Sequence, residues 1–224
     1  FNAALSSTGR AGNDGFNIRG IGGNRVLIQV DGVRVPDGFS FGAQSAGRGD
    51  YVDLGLIKSV EILRGPSSAL YGSDGLAGAI SFITSDPADF LEGGKSIGGL
   101  VRSAYSSADN EFNETAILAG RSGDWSGMVA YTRRDWSELD NKGTVGGNGE
   151  NRTEPNPQDG KSDAVLGRVV YDPASGHKLR LTGEYLSTRL FTDGLTALSS
   201  TVELLQARDT GKRKRVGLDW SWAG

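Results

Sequence analysis

The chain has 224 residues, with 24 basic and 27 acidic side chains for a net charge of -3, and it contains no cysteine. Near-neutrality without a long basic block argues against nucleic acid as a partner, and the missing cysteines exclude a disulfide framework or a thiolate metal site. A mean hydropathy of -0.33, with no apolar run approaching roughly 18 residues, excludes a membrane-spanning helix. A transmembrane β-barrel survives these exclusions, because alternate residues of its strands face lipid and a polar interior.

The chain opens abruptly at "FNAALSSTGRAGNDGFNIRG", with neither an initiator Met nor an apolar leader, and stops just after the strand-like "VGLDWSWAG". Both ends read as cut within a longer protein. Glycine, at 35 residues against 6 prolines, points to many tight turns. "RVLIQV" (Arg25 to Val30) is a β-branched run closed by Asp31-Gly32, and the following "VRV" completes a hairpin. "SVEIL" (Ser59 to Leu63) predicts a second strand, Pro66 opens a short helix "PSSALY" that Gly72 ends, and "GAISFIT" (Gly78 to Thr84) predicts a third. Short strands mixed with a helix predict a small α+β unit.

After "SDPADFLEGGKS" the pattern changes to longer runs of period two. Six strands are predicted, near 97–106, 113–121, 125–136, 163–171, 177–189 and 214–223. In "HKLRLTGEYLS", Leu179, Leu181 and Tyr185 share one face, while Lys178, Arg180, Thr182 and Glu184 share the other. Val216, Leu218, Trp220 and Trp222 oppose Arg215, Asp219 and Ser221 in the same way. "RSGDW" and "DPASGH" are tight turns, whereas 137–162 and 190–213 are long polar connections. Short turns at one end and long loops at the other fit an outer-membrane barrel, with Trp125, Tyr171, Trp220 and Trp222 placed as an interfacial girdle. A β-sandwich with half-buried strands gives the same alternation, so pattern alone leaves both open.

"FNIRGIGGNRVLIQVDGVRV" and "IKSVEILRGPSSALYGSDGLAGAISFIT" resemble the two plug signatures of the TonB-dependent outer-membrane receptors of Gram-negative bacteria, over Phe16 to Pro87. "VPDGFSFGAQSAGRGDYVDL" followed by "SALYGSDGLAGAISFITSDPADF" is similar to the haem and haemoglobin receptor branch. The resemblance implies an α+β plug over 1–92 followed, over 93–224, by the first antiparallel strands of a barrel of about 22 strands. It further implies active import of haem or a haem protein in the outer membrane, with TonB and its inner-membrane energising complex as partner and haem as cargo, not as a resident cofactor. A ferric-siderophore or cobalamin receptor is the alternative, and a passive porin-like barrel a more distant one. The TonB-contacting segment is expected outside this chain. Alone, the chain is expected to expose an unpaired strand edge and to aggregate.

By the same resemblance, Arg19 and Arg64 pair with glutamates of the barrel wall; the bland alternative is two solvated arginines. Phe39, Phe41, Gln44, Arg48 and Tyr51 lie on a loop that points toward the incoming ligand, where rings could stack on a porphyrin and the guanidinium could pair with a propionate. The two phenylalanines serve equally well as loop anchors. Haem-binding members present a His or Tyr to iron, and the plug segment has no histidine; Tyr51 or Tyr71 could substitute, or the ligand could lie in an N-terminal part or later barrel loops outside this chain. His177, the single histidine, falls at a predicted short turn. No enzyme motif is complete: "GIGGNR" has Arg25 where a dinucleotide fingerprint needs its last glycine, "GGKS" has Asp89 where a phosphate loop needs its first, and Ser67 and Ser68 lack a nearby histidine.

Overall fold

The computed structural model describes residues 16–37, 52–65 and 75–223, together with the backbone of 39–41 and 44–46. The chain divides into two compact units, one up to Thr84 and one from Ser85.

The first unit is built on a four-stranded sheet, ordered β2-β1-β6-β5. Its strands are β1 (Val26–Val30), β2 (Val33–Arg34), β5 (Ile57–Arg64) and β6 (Gly78–Thr84). The expected Asp31-Gly32 hairpin is present, with φ of 46° at Asp31 and 77° at Gly32, the left-handed pair that a two-residue turn requires. β1 runs parallel to β6, so residues 31–77 form a crossover between them. β1 is buried along its whole length, as expected for a central strand of continuous Val, Leu and Ile. Ile18, Val26, Ile28, Val30, Val35, Ile80 and Phe82 make its core.

Two local contacts lock this sheet. The Asp31 carboxylate accepts from the Thr84 backbone N–H (2.9 Å) and from its hydroxyl (2.7 Å), tying the hairpin turn to the end of β6. Asp31→Ala removes both charge-assisted bonds and is expected to cost about 2 kcal/mol of this unit's stability in the full-length protein, measured by urea unfolding. The second contact lies at Gly78, where a Cβ would stand 2.2 Å from the Leu63 carbonyl oxygen and φ is +146°. This glycine lets the end of β5 approach β6 closely. The predicted helix at 66–71 lies outside the described residues; among those described, helical structure is confined to short 3-10 turns. The stretch expected as an apical loop contains a small hairpin, β3 (Phe39–Phe41) with β4 (Gln44–Ala46).

The second unit is a six-stranded antiparallel meander in chain order, β7 (Ile97–Ser106), β8 (Glu111–Ser122), β9 (Trp125–Ser137), β10 (Gln158–Tyr171), β11 (His177–Asp193) and β12 (Gln206–Trp222). The ends next to the short turns fall where the sequence places them. At the long-loop end five strands run further than expected, β10 beginning five residues earlier and β12 eight. The extensions of β10 ("QDGKS") and β12 ("QARDTGKR") are largely polar on both faces, so they carry backbone pairing without hydropathy alternation.

Register aligns the apolar residues on one face. Leu118 sits opposite Val129, Tyr131 opposite Val165, Val165 opposite Tyr185, Val169 opposite Leu181, Leu181 opposite Leu218 and Leu179 opposite Trp220. These side chains are exposed, Leu181 at 50% and Leu218 at 72%, and together they form an apolar band across five strands. Trp125 stacks near Tyr171 (4.6 Å between centroids), and His177 stacks between Trp220 and Trp222, all at the short-turn end. An exposed band of this extent, rimmed with aromatic rings, is what a lipid-facing surface requires and a water-facing one avoids. No helix among the described residues is long and apolar enough to cross a membrane.

Candidate functional site: the plug loops and the strand-anchored linker

The opposite face of the meander holds residues 85–91, the segment that leads from the first unit into β7. Arg168, near the short-turn end of β10, is only 2% exposed. Its Nε donates to the Thr182 hydroxyl (3.0 Å), and its Nη1 donates to the Ser85 carbonyl (2.7 Å) and to Asp86 Oδ1 (3.2 Å). Arg180, one strand on, donates to Asp86 Oδ2 (3.4 Å) and to Asp219 Oδ2 (3.1 Å). One carboxylate thus bridges two guanidinium groups, and the buried charge of Arg168 is compensated by three acceptors.

Local sequence shapes the segment that receives these bonds. Pro87 opens a 3-10 turn (Pro87–Phe90), and the Asp89 carboxylate accepts from the Asp86 N–H (2.7 Å), holding Asp86 in an extended conformation from which its carboxylate reaches the arginines. The turn packs against β7, β8, β9 and β10, and Leu91 is buried at 2% exposure. Contact is so close at β7 that a Cβ on Gly98 would lie 1.9 Å from the Phe90 carbonyl oxygen. Gly98→Val is expected to destabilise the docked segment by about 1–3 kcal/mol, seen as faster protease cleavage after Lys95 in the full-length protein.

Further along the same face, Glu184 is buried and is bound by two arginines of β12. Arg215 donates from Nε (3.0 Å) and Nη2 (2.7 Å) to Oε2, and Arg213 donates to Oε1. Lys178, Arg180, Thr182, Glu184, Arg168 and Asp219 therefore share the face that the sequence pattern assigns to them. The partner of Arg168 and Arg180 was not legible in that pattern. Its signal is "SDPADF", a capping sequence with two acids, the first of which also meets the arginines.

The predicted plug residues are placed as follows. Arg19 stands in an exposed turn between the bridged residues Ile18 and Ile21, with φ of 53°, and Arg64 ends β5 opposite Gly78, also exposed. Neither makes a side-chain ion pair among the described residues. Phe39, Phe41 and Gln44 fall on the β3–β4 hairpin, where Phe41 and Gln44 are register partners. Arg48, Tyr51, Ser67, Ser68 and Tyr71 lie outside the described residues. His177 is engaged with the two tryptophans of the aromatic rim, at the end away from the long loops. Among the described residues, no group of three or more His, Asp or Glu side chains is arranged to hold a metal ion.

Residues 1–79 match the family model of the TonB-dependent Receptor Plug Domain. The chain is 36% identical over 135 residues to transferrin-binding protein A of Haemophilus influenzae, covering 57% of this chain and 15% of that protein. It is 30% identical over 233 residues to the probable hemoglobin and hemoglobin-haptoglobin-binding protein 4 of the same species, covering 95% of this chain and 23% of that one. The chain thus spans less than a quarter of the length of these relatives. In fold it is similar to the FrpB iron transporter of Neisseria meningitidis, with a TM-score of 0.70 at 22% identity over 88% of this chain and 30% of the transporter. Plug signatures, a plug-type sheet and an antiparallel meander follow one another in the order seen in these proteins, and the chain belongs to the TonB-dependent receptors.

Proposed function

We propose that the receptor containing this chain imports haem, taken from a haem protein, across the Gram-negative outer membrane. TonB and its inner-membrane energising complex drive the movement of the plug. The carrying observation is the likeness over 95% of the chain, plug and strands together, to a hemoglobin-binding receptor. The work is binding and gating: ligand recognition at the plug apex and outer loops must bias a plug rearrangement, and no bond is made or broken. Phe39, Phe41, Gln44, Arg48 and Tyr51 are the proposed contacts at the apex, with rings to stack on a porphyrin and a guanidinium to pair with a propionate. Arg19 and Arg64 are the proposed attachments of the plug to glutamates of the barrel wall. Their exposure on the isolated unit leaves both guanidinium forks open for bidentate pairing.

The likeness to transferrin-binding protein A supports a second reading, in which iron is drawn from transferrin. Growth of an iron-starved Gram-negative host expressing the full receptor separates the two. The haem reading predicts growth on haemin or haemoglobin and none on iron-loaded transferrin, with growth abolished when the proton-motive force is collapsed or TonB is deleted. Growth on transferrin alone would overturn it, and uptake that persists without TonB would make the protein a passive pore.

A further inference from the structure

The inward face of β10–β12 carries two carboxylates that are each gripped by a pair of arginines, and the two differ in where the carboxylate comes from. Glu184 belongs to the wall itself and is bound by Arg213 and Arg215 of the neighbouring strand. Asp86 belongs to the linker, and its two oxygens are divided between Arg168 Nη1 (3.2 Å) and Arg180 Nη1 (3.4 Å). Its side chain is 31% exposed, against 4% for Glu184. The wall thus supplies both cations of the second site, while the anion arrives on a separate segment of chain.

Two guanidinium groups converging on one carboxylate can receive that group from any source. Space for a second occupant lies next to them. Gly217 is the register partner of Thr182 and the diagonal neighbour of Arg180, and nothing stands within 4 Å of the position its Cβ would take. Energetics then favour exchange over simple release. Withdrawing Asp86 leaves the buried Arg168 without that carboxylate, and stripping a charged partner from a buried ion is strongly destabilising. Replacement by another carboxylate keeps the cation compensated, so the linker detaches readily only when a second anion is at hand.

We infer that Arg168 and Arg180 form a carboxylate-binding site of the barrel wall, occupied at rest by Asp86 and taken over by a carboxylate of the imported cargo as the linker lets go. Under the haem reading, on which this last clause rests, that group is a porphyrin propionate. Cargo passage and linker release are then linked by competition for one pair of guanidinium groups, with no covalent bond changed.

The site is tested with the full receptor in detergent and sodium propionate as the probe, at constant ionic strength. Propionate at about four times its dissociation constant is expected to speed protease cleavage within 85–95 roughly fivefold over chloride, as mass action gives for a competing anion. Propionamide, its neutral isostere, is expected to have no effect. In Asp86→Ala cleavage is fast without the probe, and saturation-transfer NMR detects bound propionate, which a further Arg180→Gln removes. Equal cleavage in propionate, propionamide and chloride would overturn the site, as would undiminished propionate binding by a D86A/R180Q receptor that still migrates as a folded barrel. For the cargo, Arg180→Gln is expected to lower the maximal rate of haemin uptake by cells several-fold at unchanged half-saturation, and Arg180→Lys to restore most of it. Unchanged maximal uptake in Arg180→Gln would overturn the cargo's part. A wild-type receptor that takes up no haemin fails the haem reading alone, and the propionate measurements still decide the site.

Discussion

Arg168→Met is expected to cost the full receptor about 3–5 kcal/mol of stability, the largest single effect among side chains described here. The methionine keeps most of the aliphatic stem and so isolates the loss of charge. Three acceptors then lose their donor together: the Thr182 hydroxyl, itself 2% exposed, the Ser85 carbonyl, and one oxygen of Asp86. Arg180 still holds Asp86, but from a more exposed position and at 3.4 Å. Detaching 85–91 should follow at lower denaturant than unfolding of the barrel, so the two events separate. Protease cleavage within 85–95 reports the first, and loss of heat-resistant gel mobility reports the second. Asp86→Asn, which keeps the shape and one acceptor oxygen, is expected to cost less than half as much. If Arg168→Met leaves both readouts unchanged, the buried guanidinium does not anchor the linker.

The second large effect concerns the lipid-facing band. Leu181→Arg places a cation on the outward face near the middle of the apolar span, where it is expected to cost about 2–4 kcal/mol in refolding titrations into lipid vesicles. The matching inward control is Gly217→Arg. Gly217 is the register partner of Thr182, and nothing lies within 4 Å of the position its Cβ would take. From sequence alone Thr182 looks like a suitable control, a small polar residue on the lumenal face. The structure removes that role: Thr182 is fully buried and accepts the Arg168 bond, so an arginine there displaces the linker anchor and carries a penalty unrelated to lipid. Equal costs at 181 and 217 would contradict the assignment of faces.

The difference between Thr182 and Gly217 shows where sequence reading succeeds and where it stops. Period-two alternation identified the face of Leu179, Leu181 and Tyr185 correctly because lipid imposes one chemistry on every outward residue of a strand within the membrane. The same signal disappears beyond the membrane, where "QDGKS" and "QARDTGK" continue the ladder with polar residues on both sides, and the predicted strand ends fell short there. Linker docking was illegible for another reason. Asp86 meets Arg168 and Arg180 across more than 80 residues of chain, and no local pattern marks a long-range ion pair. Short motifs behaved differently again. Asp31-Gly32 specified its turn because two consecutive left-handed residues admit few sequences, whereas the close approach at Gly78 emerged only with the structure.

Six strands with one apolar face also form half of a soluble sandwich, so the decisive observation is what covers that face. The chain has no cysteine, so single cysteines introduced from 179 to 186 into the full receptor can carry a fluorescent label in vesicles of lipid with brominated acyl chains. The membrane assignment predicts strong quenching at 179, 181, 183 and 185 and little at 180, 182, 184 and 186. Equal quenching at both sets, or none at the odd positions, would contradict it.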